Sequence, residues 1–176
     1  MANYAGIMTG ELSARTRELL VRHRRIAMVG VSANPTRASY RALVHMKSKG
    51  YTVYPVNPGT ESILGLRCYG SLAEIGQPVD IVDIFRRGDT VLPLVAEAKA
   101  IGAKVFWMQI GVLNEAAAHA AAAAGMEVVM DRCVKIEHCR FFGKKDYGLD
   151  VVGLSTGVIT ARRYDTVFDH GGRHGG

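Results

Sequence analysis

Short apolar runs alternate along this chain with longer segments whose apolar residues recur at helical spacing. The short runs are rich in β-branched residues and predict five strands, at 25–30, 51–57, 79–85, 103–109 and 127–130. Alternation of strands with helical segments is typical of parallel sheets joined by right-handed crossovers. We therefore predict an α/β fold, a Rossmann-like doubly wound parallel sheet of about five strands in a single domain, with its ligand crevice at the carboxyl ends of the strands.

The first crossover helix is predicted from the spacing of its apolar residues. Tyr40, Leu43, Val44 and Met46 recur on one helical face, which we expect to be buried against the sheet. Gly50 follows this segment and is typical of a residue that ends a helix. The second strand is therefore expected to begin directly after this glycine.

The later helices are predicted from their end residues. Asp89 is predicted to cap a helix with one apolar face, formed by Val91, Leu94, Val95 and Ala98. A second helix is predicted after Asn114, because this segment is rich in alanine, which has the highest helix propensity. Asn114 is predicted to cap this helix and Gly125 to end it. We also expect a short helix near 71–75 and a last helix near 133–140 that closes the domain.

Length and composition fit one ordinary core. The chain has 176 residues, of which 48% are hydrophobic and 22% charged, as in a single globular domain. We expect this domain at 24–143. An amphipathic N-terminal helix is predicted within 1–23, and a C-terminal extension at 144–176 whose end is disordered.

Charge and cysteine content narrow the classes of partner. The formal net charge is +6, but the Lys and Arg residues are scattered, so an anionic ligand is favoured over nucleic acid. The number of cysteines is odd, and they lack the short spacing typical of disulfide-linked proteins; they are Cys68, Cys133 and Cys139. The first residues contain no long apolar run of the kind found in signal peptides or membrane spans. We therefore expect a cytoplasmic protein without a membrane partner.

Four loops follow the carboxyl ends of the first four predicted strands, at 30–39, 57–60, 85–89 and 109–113, and should meet at one edge of the sheet. The first loop joins a strand, a glycine turn at Gly30 and a helix start. Such a corner directs backbone N–H groups and the positive end of a helix dipole at one point. It predicts a binding site for a phosphate of a nucleotide.

An NAD site does not fit this corner. Such a site needs three glycines in the first turn and an acidic residue roughly 20 residues on, which binds the ribose hydroxyls. Only Gly30 occupies the turn here, and the second predicted strand ends at Asn57. A nucleotide with a phosphate on its ribose, either coenzyme A (CoA) or NADP, suits the residues better.

Five short motifs lie in order on these loops and on the last helix. They are Val29-Gly30-Val31-Ser32 with Arg37-Ala38-Ser39-Tyr40, Gly50-Tyr51 with Pro55-Val56-Asn57-Pro58, Asp80 to Arg87, Trp107 to Val112, and Asp131 to His138. In these motifs the chain resembles the CoA-binding protein family, small stand-alone relatives of the nucleotide-binding domain in the succinyl-CoA synthetase α subunit. The resemblance covers roughly residues 24 to 140. It implies a Rossmann-like fold that holds coenzyme A.

The resemblance also implies how the nucleotide end of CoA is held. It places the CoA diphosphate on the first turn and the following helix start, with the Ser32 hydroxyl and the Arg37 guanidinium as donors. Asn57 and Pro58 are expected to flank the adenine. The alternative interpretations are a solvated arginine at 37 and a simple turn at 57–58.

The remaining implied contacts lie along the pantetheine arm. Phe85 and Arg86 are expected to line the path of the nucleotide or the arm, and Gln109 and Gly111 to leave room near the thiol end. A core position for Phe85 and a sheet-capping role for Gln109 are the alternatives. The complete set of predicted contacts is Gly30, Val31, Ser32, Arg37, Ser39, Tyr40, Asn57, Pro58, Phe85, Arg86, Gln109 and Gly111.

The last predicted helix carries Cys133, Glu137, His138 and Cys139, which raises the question of a metal site. We predict neither a metal site nor a catalytic thiol. The spacing is not that of a zinc site, and the neighbours His138 and Cys139 are expected on different helix faces. The helix is expected to pack through Cys133, Ile136 and Cys139.

No catalytic set is evident on the loops, which supply neither a Ser/His/Asp arrangement nor a carboxylate pair for acid–base chemistry. Binding of CoA or an acyl-CoA without turnover, in a regulatory or carrier role, is the leading hypothesis. A small NADP-binding oxidoreductase and a ligand-free assembly subunit stay open as alternatives. Assembly as a homodimer, and a mixed disulfide between CoA and Cys68 or another thiol, are further open questions.

Overall fold

The computed structural model describes residues 10–143. The predicted C-terminal extension lies outside the described residues, as do residues 1–9. The α-helices of the described part are α1 (Gly10–Arg22), α2 (Ala38–Ser48), α3 (Leu92–Ala100), α4 (Glu115–Ala123) and α5 (Val134–Phe142). Its strands are β1 (Arg25–Val29), β2 (Thr52–Val56), β3 (Ser62–Ile63), β4 (Leu66–Arg67), β5 (Ile81–Ile84), β6 (Val105–Met108) and β7 (Glu127–Val129).

Five of these strands form one parallel sheet in the order β2-β1-β5-β6-β7, which confirms the predicted fold. The strand order reverses beside β1, because the chain passes from β1 to β2 on one side and later returns to β5 on the other. Val29 at the end of β1 is level with Val56 of β2 and with Ile84 of β5. Ligand crevices of open α/β sheets lie outside the carboxyl ends of the strands at such a switch point.

The sheet separates two apolar layers. One layer lies under α1, α2 and α5 and includes the buried side chains of Leu20, Leu43 and Trp107. The other lies under α3 and α4 and includes Val95 and Ala118. The strands are buried on both faces, as is usual for parallel sheets covered by helices on each side. None of the helices in residues 10–143 combines the length and apolar character that crossing a bilayer requires.

Several predicted helix features are confirmed. Asn114 caps α4, since its Oδ1 accepts a hydrogen bond of 2.8 Å from the N–H of Ala117. The short helix predicted near 71–75 is a 3-10 helix at Leu72–Ile75. The predicted apolar face of α3 is buried, namely Val91, Leu94, Val95 and Ala98.

The predicted cap of α3 is wrong. Asp89 lies inside a 3-10 turn, Gly88–Thr90, and α3 begins only after Val91, which occupies the N-cap position. The Thr90 hydroxyl donates to the carbonyl of Arg87, which stabilises this turn. Asp89 instead forms an ion pair with Arg87.

Two further details differ from the predictions. Val44, expected on the buried face of α2, is 41% exposed. The link after β2 contains an antiparallel hairpin, in which Ser62 pairs with Arg67 and Ile63 with Leu66. Its strands have only two residues each, too short for an alternating pattern to indicate them.

Candidate functional site

Gly30 makes the turn that follows β1. Its φ is +82°, in the left-handed region that favours glycine, and its N–H donates to the carbonyl of Val56 at 2.9 Å. A Cβ at this position would lie 2.9 Å from the Cγ of Arg86, closer than ordinary van der Waals contact. Glycine therefore allows the first turn to pack against the loop after β5, at the switch point of the sheet.

Short polar side chains shape the loop between this turn and α2. The N–H of Ser32 donates to the Oγ of Ser39, and the Ser32 Oγ accepts from the N–H of Asn34, each at 3.1 Å. The Asn34 Oδ1 accepts from both the N–H and the hydroxyl of Thr36. Both predicted ligand serines thus hold the loop as acceptors, while each hydroxyl also has a proton to donate.

The helix α2 begins at Ala38 without a capping side chain and without an acidic residue in its first turn. Arg37 occupies the N-cap position in an extended conformation, with φ −80° and ψ 143°. Helix starts usually carry a Ser, Thr, Asp or Asn whose side chain accepts from the first N–H groups. The start of α2 therefore directs its N–H groups and the positive end of its dipole at the crevice, which favours a bound anion.

Arginine side chains add positive charge beside this helix start. Arg37 is exposed and Arg86 is half-buried. Within residues 10–143, neither of them forms an ion pair with a carboxylate. Val31 is fully buried and Tyr40 is half-buried on the same corner. The structure thus brings the predicted residues of the first loop together with Arg86.

Asn57 braces the loop after β2 against the loop after β1. Its Nδ2 donates to the carbonyl of Val31 and its Oδ1 accepts from the N–H of Gly59, both at 2.9 Å. A carboxylate at this position has no proton to donate to the Val31 carbonyl. Pro58 is exposed beside it. The expected contact of Asn57 and Pro58 with an adenine stays a prediction.

The loops after β5 and β6 lie on the other side of the switch point. Phe85 is half-buried and packs against the layer under α2, while Gln109 is only 5% exposed. Gly111 has a φ of +79°, and its N–H donates to the Oδ1 of Asp131 at 2.8 Å. The expected ligand contacts of Phe85, Gln109 and Gly111 stay predictions.

A buried acidic side chain lies under this edge and was missed by sequence reasoning. Asp83 is fully buried, and burial raises the pKa of its carboxyl to about 8. Its Oδ1 accepts from the Nε2 of Gln109 at 2.5 Å, and its Oδ2 has no hydrogen-bond partner among the described residues. The sequence signal is an acidic residue inside the apolar run Ile81–Ile84, a run whose pattern by itself predicts only a strand.

Burial affects the reactivity of two cysteine thiols. Burial raises the pKa of the Cys68 thiol, and burial raises that of Cys133 to about 11, with Asp83 adding to the effect. Because the thiolate is the nucleophile, both thiols are weakly reactive at neutral pH. A mixed disulfide with CoA stays a prediction.

The expectation that His138 and Cys139 face different sides of the last helix is wrong. Both are buried, and both contact His45 of α2. Ile136, expected in the core, is only half-buried, whereas Glu137 is fully buried and pairs with Arg140 at 3.3 Å. The helix is turned relative to the prediction because α2 and α5 pack side by side, and this packing brings together residues far apart in the chain.

This chain is similar to known proteins both in sequence and in fold. A family described as a CoA binding domain matches residues 24–139. An uncharacterized protein of Bacillus subtilis, YneT, is 39% identical over 131 residues, which cover 74% of this chain and 97% of YneT. A solved structure of a hypothetical protein from Pyrococcus horikoshii has a TM-score of 0.73 at 37% identity, with 74% of this chain and 92% of that chain covered.

One larger relative shares only a segment. The ADP-forming acetate–CoA ligase II of Archaeoglobus fulgidus is 31% identical over 81 residues. This match covers 45% of the present chain but only 12% of the ligase. The shared segment is therefore a small part of that enzyme.

Proposed function

This chain belongs to the CoA binding domain family, and on that premise we propose that it binds coenzyme A or an acyl-CoA at the carboxyl edge of its sheet. The diphosphate binds at the Gly30 turn and the start of α2. The pantetheine arm follows the loops after β5 and β6 toward Gln109 and Gly111. The complex serves a regulatory or carrier role without catalysis.

One observation carries this proposal: α2 starts at the switch point with no capping side chain and no acidic residue, directly after Arg37. A helix start of this kind stabilises a phosphate through N–H groups and its dipole. Arg37 and Arg86 supply charge-assisted donors, which bind phosphate oxygens more strongly than neutral donors do. Together they form a site for a ligand with several phosphates.

Discrimination against NAD follows from Asn57. This side chain directly follows β2, where NAD-binding proteins place an acidic residue for the ribose hydroxyls. Here it is an amide that donates to the Val31 carbonyl and accepts from Gly59. A ribose that carries a phosphate meets no carboxylate from this side chain, which suits CoA.

The proposal also covers the location of the protein and the classes of partner that it does not bind. In this proposal the protein binds CoA or an acyl-CoA in the cytoplasm, and neither nucleic acid nor a membrane is a partner. The relative from Archaeoglobus fulgidus is a CoA ligase, but the matched segment is only 12% of it. We therefore extend only CoA recognition, and not ligation, to this chain. Native mass spectrometry reports whether the protein assembles as a homodimer.

Calorimetric titration of the purified full chain tests the proposal with four ligands. We expect one site per chain for CoA and for acetyl-CoA. Dephospho-CoA, which lacks the ribose phosphate, should bind about tenfold more weakly, because one charge-assisted contact contributes roughly 1.5 kcal/mol. NADPH should bind more weakly than CoA. Tighter binding of NADPH than of CoA would favour the oxidoreductase alternative, and no binding of any ligand would favour the assembly subunit.

A substitution at Gly30 tests whether this turn affects CoA affinity in addition to the stability of the fold. We expect Gly30→Ala to lower the free energy of unfolding by about 1–2 kcal/mol, because alanine is strained at positive φ. It should also weaken CoA binding, since the added Cβ displaces Arg86. Urea unfolding and calorimetry measure the two effects.

Gly102→Ala is the matched control. Gly102 has a φ of +77°, and a Cβ there meets nothing within 4 Å. It lies in the turn after α3, at the opposite edge of the sheet. We expect a similar or slightly smaller loss of stability, because the Cβ meets no neighbour, with unchanged CoA affinity. Equal losses of affinity in both variants would count against the Gly30 turn as the site.

A further inference from the structure

A cluster of three metal-ligating side chains lies between α2 and α5. His45 is in the last turn of α2, about 10 Å along the helix axis from its first residue. His138 and Cys139 come from α5. The side chains are buried, with 5%, 7% and 3% exposure respectively. This cluster is separate from the proposed CoA site at the start of α2.

The donor atoms converge on the Nε2 of His45. This nitrogen is 3.0 Å from the Nδ1 of His138 and 3.4 Å from the Sγ of Cys139. One ligand atom from each residue lies within 4.8 Å of the others. An imidazole nitrogen has either one proton or one lone pair in the ring plane, so it serves only one of these two contacts well.

We propose that His45, His138 and Cys139 bind one d10 cation, either Zn²⁺ or Cu⁺. The proposed ligands are the Nε2 of His45, the Nδ1 of His138 and the Sγ of Cys139. Thiolate and imidazole are the ligands that both ions prefer. On coordination the Cys139 thiol releases its proton to solvent, both imidazoles stay neutral with a lone pair on the metal, and no electron is transferred.

The distances fit a small ion after a slight adjustment. Usual zinc bond lengths and tetrahedral angles place two ligand nitrogens about 3.3 Å apart and sulfur and nitrogen about 3.5 Å apart. The corresponding distances here are 3.0 Å and 3.4 Å. For these two pairs, shifts of a few tenths of an ångström suffice. The third pair, from His138 and Cys139, lies within 4.8 Å and draws together further when the ion binds.

The surroundings of the cluster are aromatic. The His138 ring centroid lies 4.7 Å from that of Phe142 and 5.6 Å from that of Tyr51. The Tyr51 hydroxyl donates to the carbonyl of Leu20 at 2.6 Å. In such apolar surroundings net charge is costly, and one thiolate neutralises Cu⁺ but leaves Zn²⁺ with one positive charge. Separate zinc and copper samples distinguish the two ions.

The test uses the full chain with His170→Gln and His174→Gln, so that these two imidazoles offer no competing ligand for the metal. This protein is refolded under reducing conditions with Zn²⁺, Cu⁺ or the spectroscopic probe Co²⁺. We expect one ion per chain by native mass spectrometry, and for Co²⁺ a thiolate-to-metal charge-transfer band. Cys139→Ser should abolish the band, and His45→Gln should weaken binding at least tenfold.

Cys133→Ser is the matched control on the same helix. Serine is a favoured residue at that N-cap position, so this variant should fold and bind the ion as the parent does. X-ray absorption of the loaded parent protein needs no variant and should show one sulfur and two imidazole nitrogens. Retention of Zn²⁺ or Cu⁺ with this ligand set supports the site. Retention of neither ion, a spectrum without sulfur, or a charge-transfer band that survives in folded Cys139→Ser overturns it.

Discussion

Replacing Arg37 by alanine is expected to weaken CoA binding about tenfold. The guanidinium lies at the N-cap of α2, where it adds a charge-assisted donor beside the free N–H groups of the helix start. Such bonds contribute about 1.5–3 kcal/mol, and we take the lower end because Arg37 is exposed and screened by salt. Calorimetry at low and at physiological salt measures the change, which should be larger at low salt.

Arg41→Ala is the control for charge alone. Arg41 is also exposed and lies one helical turn beyond Arg37, as the fourth residue of α2. Its removal lowers the net charge equally, so long-range attraction weakens to the same degree. We expect a loss of affinity of less than twofold. If both variants lose affinity equally, Arg37 acts through net charge and does not contact the ligand.

The second large effect concerns the pH dependence of stability. The carboxyl of Asp83 has a pKa of about 8 in the folded protein because it is buried, against about 3.9 in an unfolded chain. Between these values the folded state holds a proton that the unfolded state has lost. Stability contributed by this group is therefore lost as the pH rises from about 4 to 8. The loss of stability is on the order of a few kcal/mol, since a difference of one in pKa between the folded and unfolded states corresponds to about 1.4 kcal/mol.

Asp83→Asn should remove this pH dependence. The amide oxygen still accepts from Gln109, and the side chain stays neutral at every pH. We expect the variant to be less stable than the parent near pH 4, because it buries a new donor, and to approach or exceed the parent above pH 8. Urea unfolding at pH 4, 6 and 8 measures the difference.

Glu61→Gln is the control, since Glu61 is an exposed carboxylate. The difference in stability between this variant and the parent should change little over the same range. A difference between parent and Asp83→Asn that stays constant from pH 4 to 8 would show that Asp83 titrates normally in the folded protein.

The fold was predictable because its signals are local. Each strand of the sheet is a short apolar run, and Asn114 caps its helix through atoms three residues away. The prediction for the start of α3 is wrong for a nonlocal reason. A Cβ on Gly88 would lie 2.3 Å from the carbonyl oxygen of Leu113, so two loops press together there. The helix α3 begins only after this contact and after the 3-10 turn at Gly88–Thr90. The spacing of apolar residues around Asp89 indicates neither of them.

The site was predictable only in part, for the same reason. The sequence placed the Gly30 turn and Arg37 at one corner, because both belong to one strand–turn–helix unit. It did not show that Asn57 braces Val31, or that the Asp83 carboxyl is neutralised by burial. His45 and His138 are 93 positions apart, and only the packing of α2 against α5 joins them. Contacts of that kind depend on tertiary structure.

The most direct test of the central claim is the crystal structure of the full chain soaked or grown with CoA. We predict the diphosphate at the Gly30 turn, accepting hydrogen bonds from the first N–H groups of α2, with Arg37 or Arg86 on its oxygens. The adenine should lie beside Asn57 and Pro58. CoA bound elsewhere on the protein, with the Gly30 turn and the start of α2 free of phosphate, would contradict the account.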